Sequence, residues 1–239
     1  MNRRLGLVGA AALGIALTLA APASAGAAAA GVIYVPDDFV PALSDTRATG
    51  DYEVDGTGLH IWTQGATSTD KVAEYVATDT PLAGIGEPSL EYDNTGGGVP
   101  GFQLVVDFDN DGTVDGILIG ETIYGNDWWL NNAAKQFVKD GAPSHTGGSG
   151  SANHGTLDQW RTAFPNAQVQ AFGFSLGSGV LGDGVINAIN FAGTRYTFAE
   201  HVRLSGAGAC KGGGWETSTQ PVFRNQGECV SSFVSQKKK

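Results

Sequence analysis

The chain has 239 residues, of which 36 are glycine and 16% are charged, and this composition predicts one Gly-rich domain with short appendages. An apolar fraction of 41% supports a hydrophobic core and excludes a wholly disordered chain. A formal charge of −10 argues against a partner such as nucleic acid, whose binding requires phosphate neutralisation.

The N-terminal residues 1–25 are predicted to be a signal peptide. Arg3 and Arg4 precede an apolar run, and Ala23-Ser24-Ala25 provides a small-residue cleavage site. We therefore expect a secreted protein, extracellular or associated with the cell wall. An N-terminal membrane anchor is the alternative, and the choice between the Sec and twin-arginine routes stays open. No later segment offers about 18 consecutive apolar residues, so no membrane span is expected in the mature chain.

Short apolar runs between turn residues predict an all-β fold, an antiparallel β-sandwich that is jelly-roll-like. Ala192-Gly193 is a two-residue hairpin signal, and residues 27–31 form a small-residue lead-in. One short helix is expected after Thr156, because Thr156 and Gln159 form a capping box. The predicted strands are residues 59–63, 89–92, 101–107, 116–119, 167–175, 185–191 and 194–198.

Charge and composition divide the mature chain into unequal parts. The sandwich domain is predicted to span residues 31–203, with 22 acidic and 7 basic residues. Residues 204–209, of sequence LSGAGA, are expected to be a flexible linker. Residues 210–239 form a basic tail. Its terminal lysines, residues 237–239, are expected to be a solvated end, and contact with an anionic cell-wall polymer is the alternative.

The strongest chemical signal is an acidic loop, residues 107–115. Carboxylates stand at loop positions 1, 3, 5 and 9, and glycine stands at position 6, which matches the oxygen ligands that calcium prefers. The backbone carbonyl of the residue at position 7 would be a further ligand. The predicted structural calcium ligands are Asp107, Asp109, Asp111, Thr113 and Asp115.

This loop departs from an EF-hand, because Leu118 occupies position 12 and the flanking segments are strands. Glu121, Asp127 or water are the candidates for the missing ligand. The alternative is a solvated acidic turn. Four carboxylates within nine residues repel one another without a counter-ion, which favours the calcium site.

Residues 173–177 match the G-x-S-x-G pattern of hydrolase nucleophiles at Ser175, but no helix is predicted after them. We interpret the segment as a buried strand that enters a Gly-rich turn, and no catalytic residue is assigned. His145 and His154, with eight residues between them in a Ser/Gly-rich loop, are a weak metal signal without a further ligand.

Aromatic residues beside Asn126 and Asp127 suggest a ligand surface. Adjacent tryptophans on an extended chain point to opposite faces, so one is expected in the core and the other accessible. Exposed rings beside polar groups are typical of sugar-binding surfaces. The alternative is that both tryptophans cover a sheet edge. The candidate ligand-binding residues are Tyr124, Asp127, Trp128 and Trp129.

Cys210 and Cys229 are the two cysteines of the chain, and export favours a disulfide between them. This bond is expected to close a small C-terminal unit anchored by Trp215 and Phe223.

The segment CKGGGW…FRNQGECVSSF, residues 210–233, resembles a C-terminal motif of uncharacterised secreted actinobacterial proteins. Further segments of the chain, among them DFDNDGTVDG, NDWW and AFGFSLGSGV, are similar to the same kind of uncharacterised secreted family. The resemblance implies export and a compact β domain, and it implies no activity and no catalytic residues.

The sequence predicts a calcium-stabilised binding or surface-associated module with a glycan as its ligand. The alternatives are a secreted hydrolase that uses Ser175 or a pair of carboxylates, and a purely structural cell-envelope protein. Whether the chain is an enzyme stays open.

Overall fold

The structure, a computed structural model, describes residues 28–236, so the predicted signal peptide and the terminal lysines lie outside the described residues. The described chain contains twelve strands. They are β1 (Ala29–Val35), β2 (Asp51–Asp55), β3 (Gly58–Thr63), β4 (Lys71–Pro81), β5 (Ser89–Gly97), β6 (Gly101–Asp107), β7 (Gly116–Gly120), β8 (Trp128–Leu130), β9 (His154–Gly155), β10 (Gln168–Gly177), β11 (Gly182–Phe191) and β12 (Thr194–Glu200).

The strands form two six-stranded sheets, and the predicted antiparallel β-sandwich is confirmed. In the first sheet β5 pairs along one edge of β11, while β3 and β12 share its other edge. β2 extends the sheet beyond β3, and β1 extends it beyond β12. The second sheet has the order β4-β10-β6-β7-β8-β9. All the described strand pairs are antiparallel except β1 with β12, which is parallel.

The core lies between the two sheets, where each strand contributes alternate side chains. Phe172 of β10 and Phe191 of β11 stack across the sandwich with ring centroids 4.2 Å apart. Tyr196 of β12 approaches the same ring of Phe172 at 5.3 Å. This aromatic contact joins the centre of one sheet to the centre of the other.

The second sheet is also covered on part of its outer face. A small cluster of Ala73, Tyr75, Val105 and Ala171 is buried there beneath Leu43 and Ile117. This cover explains why all seven residues of β6 are buried and why the strand reads as an almost continuous apolar run.

Residues near the N-terminal end of the described chain correct one expectation. The predicted lead-in continues from Ala29 into β1, which pairs with β12. Gly31 lies against the ring of Tyr196, and a Cβ atom at this position would be 2.5 Å from the Cδ1 atom of that ring. The small residue is therefore required by packing.

The predicted helix is confirmed at Leu157–Ala163, with its complete capping box. The backbone N–H of Gln159 donates to Thr156 Oγ1 at 3.3 Å, and the backbone N–H of Thr156 donates to Gln159 Oε1 at 2.9 Å. Two further helices were not predicted. The helices are α1 (Gln136–Asp140), α2 (Leu157–Ala163) and α3 (Gln226–Gln236). Within residues 28–236, no helix has both the length and the apolar character needed to cross a membrane.

The C-terminal unit has a hydrophobic cluster of its own around the predicted disulfide. Cys210 and Cys229 are bonded, with Cα atoms 5.9 Å apart, and both are fully buried. Phe223 is buried beside them, and Trp215 and Leu204 pack against the same cluster. Leu204 of the predicted linker is therefore part of this packing.

Replacing both Cys210 and Cys229 with serine is expected to destabilise the C-terminal unit by about 3 kcal/mol, because the bond closes a loop between residues 19 apart. Amide hydrogen exchange in α3 should accelerate, while exchange in β6 and β10 stays slow. Faster exchange throughout the sandwich would contradict the independence of the C-terminal cluster.

Candidate metal site and ligand cleft

The acidic loop joins β6 to β7, and the hairpin register brings its carboxylates together. Val106 pairs with Gly116, and the backbone N–H of Asp115 donates to the Val106 carbonyl at 2.9 Å. The ends of the loop are thus held side by side. Asp107 and Asp115 are consequently buried, at 1% and 3% exposure, whereas Asp109 and Asp111 lie on the exposed side of the loop.

Backbone amides of the loop orient the two buried carboxylates. Gly112 N–H donates to Asp107 Oδ2 at 2.7 Å, and Asp111 N–H donates to Asp107 Oδ1 at 3.2 Å. Phe108 N–H donates to Asp115 Oδ2 at 2.6 Å. The left-handed backbone at Gly112, with a φ of 91°, permits the turn that aims these amides inward.

The four carboxylates lie close enough together for one cation to contact all of them. One oxygen from each of Asp107, Asp109, Asp111 and Asp115 lies within 4.8 Å of the others. Oxygens on opposite sides of a calcium ion are separated by about 4.6–5.2 Å, because each bond is about 2.3–2.6 Å long. The carboxylate part of the predicted ligand set is therefore brought together. Thr113 is exposed, and its N–H and hydroxyl donate to Asp111 Oδ1 at 2.8 and 2.6 Å.

A lysine missed in the sequence analysis lies at this cluster. Lys135 Nζ is 2.5 Å from Asp115 Oδ1 and 2.9 Å from Thr113 Oγ1. The hydrogen bond to Asp115 raises the pKa of Lys135. Its backbone N–H donates to the Asp115 carbonyl at 2.8 Å, which fixes residue 135 beside the loop although it is 20 residues distant in sequence. Lys135 is therefore a built-in counter-ion for the buried carboxylate.

The two exposed carboxylates of the loop, Asp109 and Asp111, have pKa values shifted in opposite directions. Desolvation, followed by repulsion from Asp115 and Asp111, raises the pKa of Asp109. The hydroxyl and the N–H of Thr113 lower the pKa of Asp111. Asp109 is thus the carboxylate that the loop accommodates least well as an anion without a further cation.

The register excludes two of the candidates for the missing ligand. Phe102 pairs with Gly120 at the far end of the hairpin, so Glu121 lies at that end, where it packs against Gly101. Asp127 precedes Trp128, which also pairs with Gly120. Leu118 is fully buried in the core. Water is the remaining candidate among those considered.

The adjacent tryptophans point to opposite faces of the second sheet, as predicted. Trp128 faces the core at 6% exposure and lies against Gly120 and Phe102. Trp129 faces outward but lies beneath the following loop, since a Cβ atom at Gly150 would be 2.7 Å from its ring. The accessible tryptophan that was expected is therefore partly covered.

The other two predicted ligand residues, Tyr124 and Asp127, lie in the segment before β8. Tyr124 is exposed in a short 3-10 turn, and Asp127 contacts a histidine. His154 Nδ1 is 2.7 Å from Asp127 Oδ1, and its Nε2 is 3.0 Å from the Thr146 carbonyl oxygen. Both ring nitrogens face acceptors, so these two contacts raise the pKa of His154. His145 contacts Asn153, and the two histidines do not form a metal cluster among residues 28–236.

Ser175 lies within β10, and Leu176 and Gly177 continue the strand after it. Its Oγ atom is buried and has no hydrogen-bond partner among the described residues. The strand continues into a turn and not into a helix, in agreement with our interpretation of the G-x-S-x-G segment.

A cleft of about 450 Å³ opens between β5 of the first sheet and β6, β7 and β8 of the second. We call it the inter-sheet cleft. Its lining includes the aromatic residues Tyr92, Phe102 and Trp128 and the polar residues Asn94, Asn126 and Glu121. Sequence reasoning found Trp128 alone as a ligand-binding residue in this set, and Tyr92 and Asn94 of β5 meet it only when the two sheets pack.

Comparison of the chain with protein-family models, with curated proteins and with solved structures found no match.

The contacts of His154 predict a pH-dependent loop. NMR titration should give His154 a pKa above 6.5, and Asp127→Asn should lower that pKa. A raised pKa in the folded state stabilises the protein below the unfolded value of about 6.5, and this contribution is lost as the pH rises through the folded pKa. An unchanged His154 titration in the Asp127→Asn variant would contradict the contact.

Proposed function

We propose that the chain is an exported, calcium-stabilised β-sandwich module that binds a glycan outside the cytoplasm or at the cell wall. The observation that carries the proposal is the convergence of four carboxylate oxygens within 4.8 Å of one another at one end of the β6–β7 hairpin. The spacing fits calcium, and the oxygen donors are those that calcium prefers. Export follows from the signal peptide predicted at residues 1–25 and from the resemblance to secreted actinobacterial proteins.

Calcium would stiffen the protein and would not act as a catalyst in this proposal. Asp107 and Asp115 are buried at the base of the loop, and their amide contacts hold them in place before any cation arrives. Calcium must compete with the Lys135 ammonium for Asp115. A divalent ion that contacts four carboxylates relieves more repulsion than one ammonium that contacts one carboxylate.

The glycan part of the proposal is supported by the inter-sheet cleft. Its volume of about 450 Å³ falls in the range of about 300–1,000 Å³ that is typical of small-molecule sites. Aromatic walls beside amide and carboxylate groups suit a ligand with apolar ring faces and hydroxyl edges. This lining is the reason to prefer a binding module to a purely structural envelope protein.

A glycoside hydrolase is the second candidate function, because two carboxylates, Glu87 and Glu121, line the same cleft. Glycoside hydrolysis by most enzymes requires such a pair. Release of reducing ends from oligosaccharides, lost in a Glu121→Gln variant, would favour this function over binding alone.

Calcium is expected to raise the melting temperature of the purified chain by about 5–10 °C at a concentration of about one hundred times its Kd. Asp109→Asn should weaken calcium binding in isothermal titration, because it removes one ligand, without lowering the stability of the calcium-free protein. Asp55→Asn, at an exposed position of β2, is the matched control. Absence of calcium uptake by the wild-type chain would remove the metal site.

A glycan array probed with and without calcium tests the binding function. We expect retention of at least one class of saccharide and weaker retention in a chelator, since calcium stiffens the hairpin that also contributes to the cleft. If no saccharide on the array is retained, even one that would bind the protein with a monovalent Kd in the millimolar range, the glycan proposal is overturned.

A further inference from the structure

The charges that line the inter-sheet cleft do not favour an anionic ligand. Of residues 28–236, no lysine, arginine or histidine is among those that line it, and the carboxylates that line it are Glu87 and Glu121. Glu87 is already paired, because Arg161 Nη1 lies 3.0 Å from its Oε1 atom. An acidic saccharide or a phosphate would enter without a cation to neutralise it, and burial of an unpaired charge is costly.

Glu121 is the carboxylate of the cleft that is free to receive a ligand. Among the described residues no basic side chain lies within 4.0 Å of it, and burial alone raises its pKa. A partly desolvated carboxylate forms strong hydrogen bonds with any donor that reaches it. A ligand hydroxyl or ammonium group would be such a donor.

Aromatic rings and asparagine amides form the rest of the cleft lining. Trp128 and Phe102 form the floor, with their rings edge to face at 6.0 Å. Asn94 and Asn126 are exposed on the two sides. The Asn126 amide offers both a donor and an acceptor, whereas the Asn94 amide already donates to the Gly97 carbonyl and accepts from Gly96 N–H. Val99 continues the apolar wall toward solvent at 38% exposure. Rings and amides together match the alternating apolar faces and hydroxyl edges of a saccharide.

We propose that the inter-sheet cleft is the glycan site of this protein and that it selects saccharides without acidic groups, neutral or amino-bearing, whose donors bind Glu121. The inference rests on the proposed glycan-binding function and deepens it. It moves the site from the predicted Tyr124–Trp129 surface to the gap between the sheets. Asp127 and Trp129 have no direct part in it, because one contacts His154 and the other lies beneath the loop at Gly150.

The test compares three probes on the full mature chain by isothermal titration. The probes are the trimers of N-acetylglucosamine, glucosamine and galacturonic acid, which are neutral, cationic and anionic. Binding of the neutral or the cationic trimer, with the anionic trimer at least tenfold weaker, is expected. Comparable or tighter binding of the galacturonic acid trimer would overturn the proposed selectivity.

Variants locate the site within the molecule. Glu121→Gln should lower the affinity for the trimer about tenfold, which corresponds to the loss of one charge-assisted hydrogen bond. Glu53→Gln, an exposed change on β2, is the matched control and should leave the affinity unchanged. Asn126→Ala is a second cleft variant at an exposed position, so the test does not depend on the fold of one variant.

The outcomes separate this inference from the function on which it rests. If an array or a trimer shows binding that both Glu121→Gln and Asn126→Ala leave unchanged, the cleft is not the site, and the glycan-binding function survives. If no saccharide binds the wild-type chain, both proposals fail. NMR shift changes confined to residues 94, 99, 121 and 126 on addition of a trimer would support the cleft directly.

Discussion

The register of the β6–β7 hairpin is the constraint on which both proposed sites depend. Val106 pairs with Gly116 at one end and Phe102 with Gly120 at the other. The first pair closes the acidic loop, and the second places Glu121 and the Trp128 floor at the inter-sheet cleft. Because a shift by one residue would turn every side chain of the hairpin to the opposite face, the loop and the cleft are specified by the same set of pairings.

Burial of two carboxylates at the base of the acidic loop creates the need for a cation. Asp107 and Asp115 are nearly inaccessible to solvent, and four loop amides donate hydrogen bonds to them. Amides do not cancel the charge, so a positive group must approach. Lys135 supplies one for Asp115, and its long side chain reaches the cluster from the segment before α1. Among the described residues, Asp107, Asp109 and Asp111 have no ion-pair partner, and they are the carboxylates left for the proposed calcium ion.

Aromatic residues have unequal roles in this sandwich. Trp128, Phe102 and Phe172 are part of the core between the sheets, and the same packing leaves an opening beside β5. A ligand in this opening would contact the edges of core side chains and not an exposed, flat aromatic surface. The Trp129 ring contributes to the outer face beneath Gly150, where it stabilises the loop that also holds His154. The alternation of the strand thus places Trp128 in the cleft wall and Trp129 on the outer face.

The sequence by itself determined those features that depend on residues close together in the chain. The capping box at Thr156, the Ala192-Gly193 turn, the strand of residues 101–107 and the cysteine pair were all predicted, because each is fixed by residues close in the chain or by the absence of other partners. Tertiary structure alone decided the parallel pairing of β1, the approach of Lys135 to Asp115, and the placement of Glu121 and Asn94 in one cleft. These arrangements bring together residues far apart in sequence, and no periodicity or spacing encodes which surfaces meet when two sheets pack.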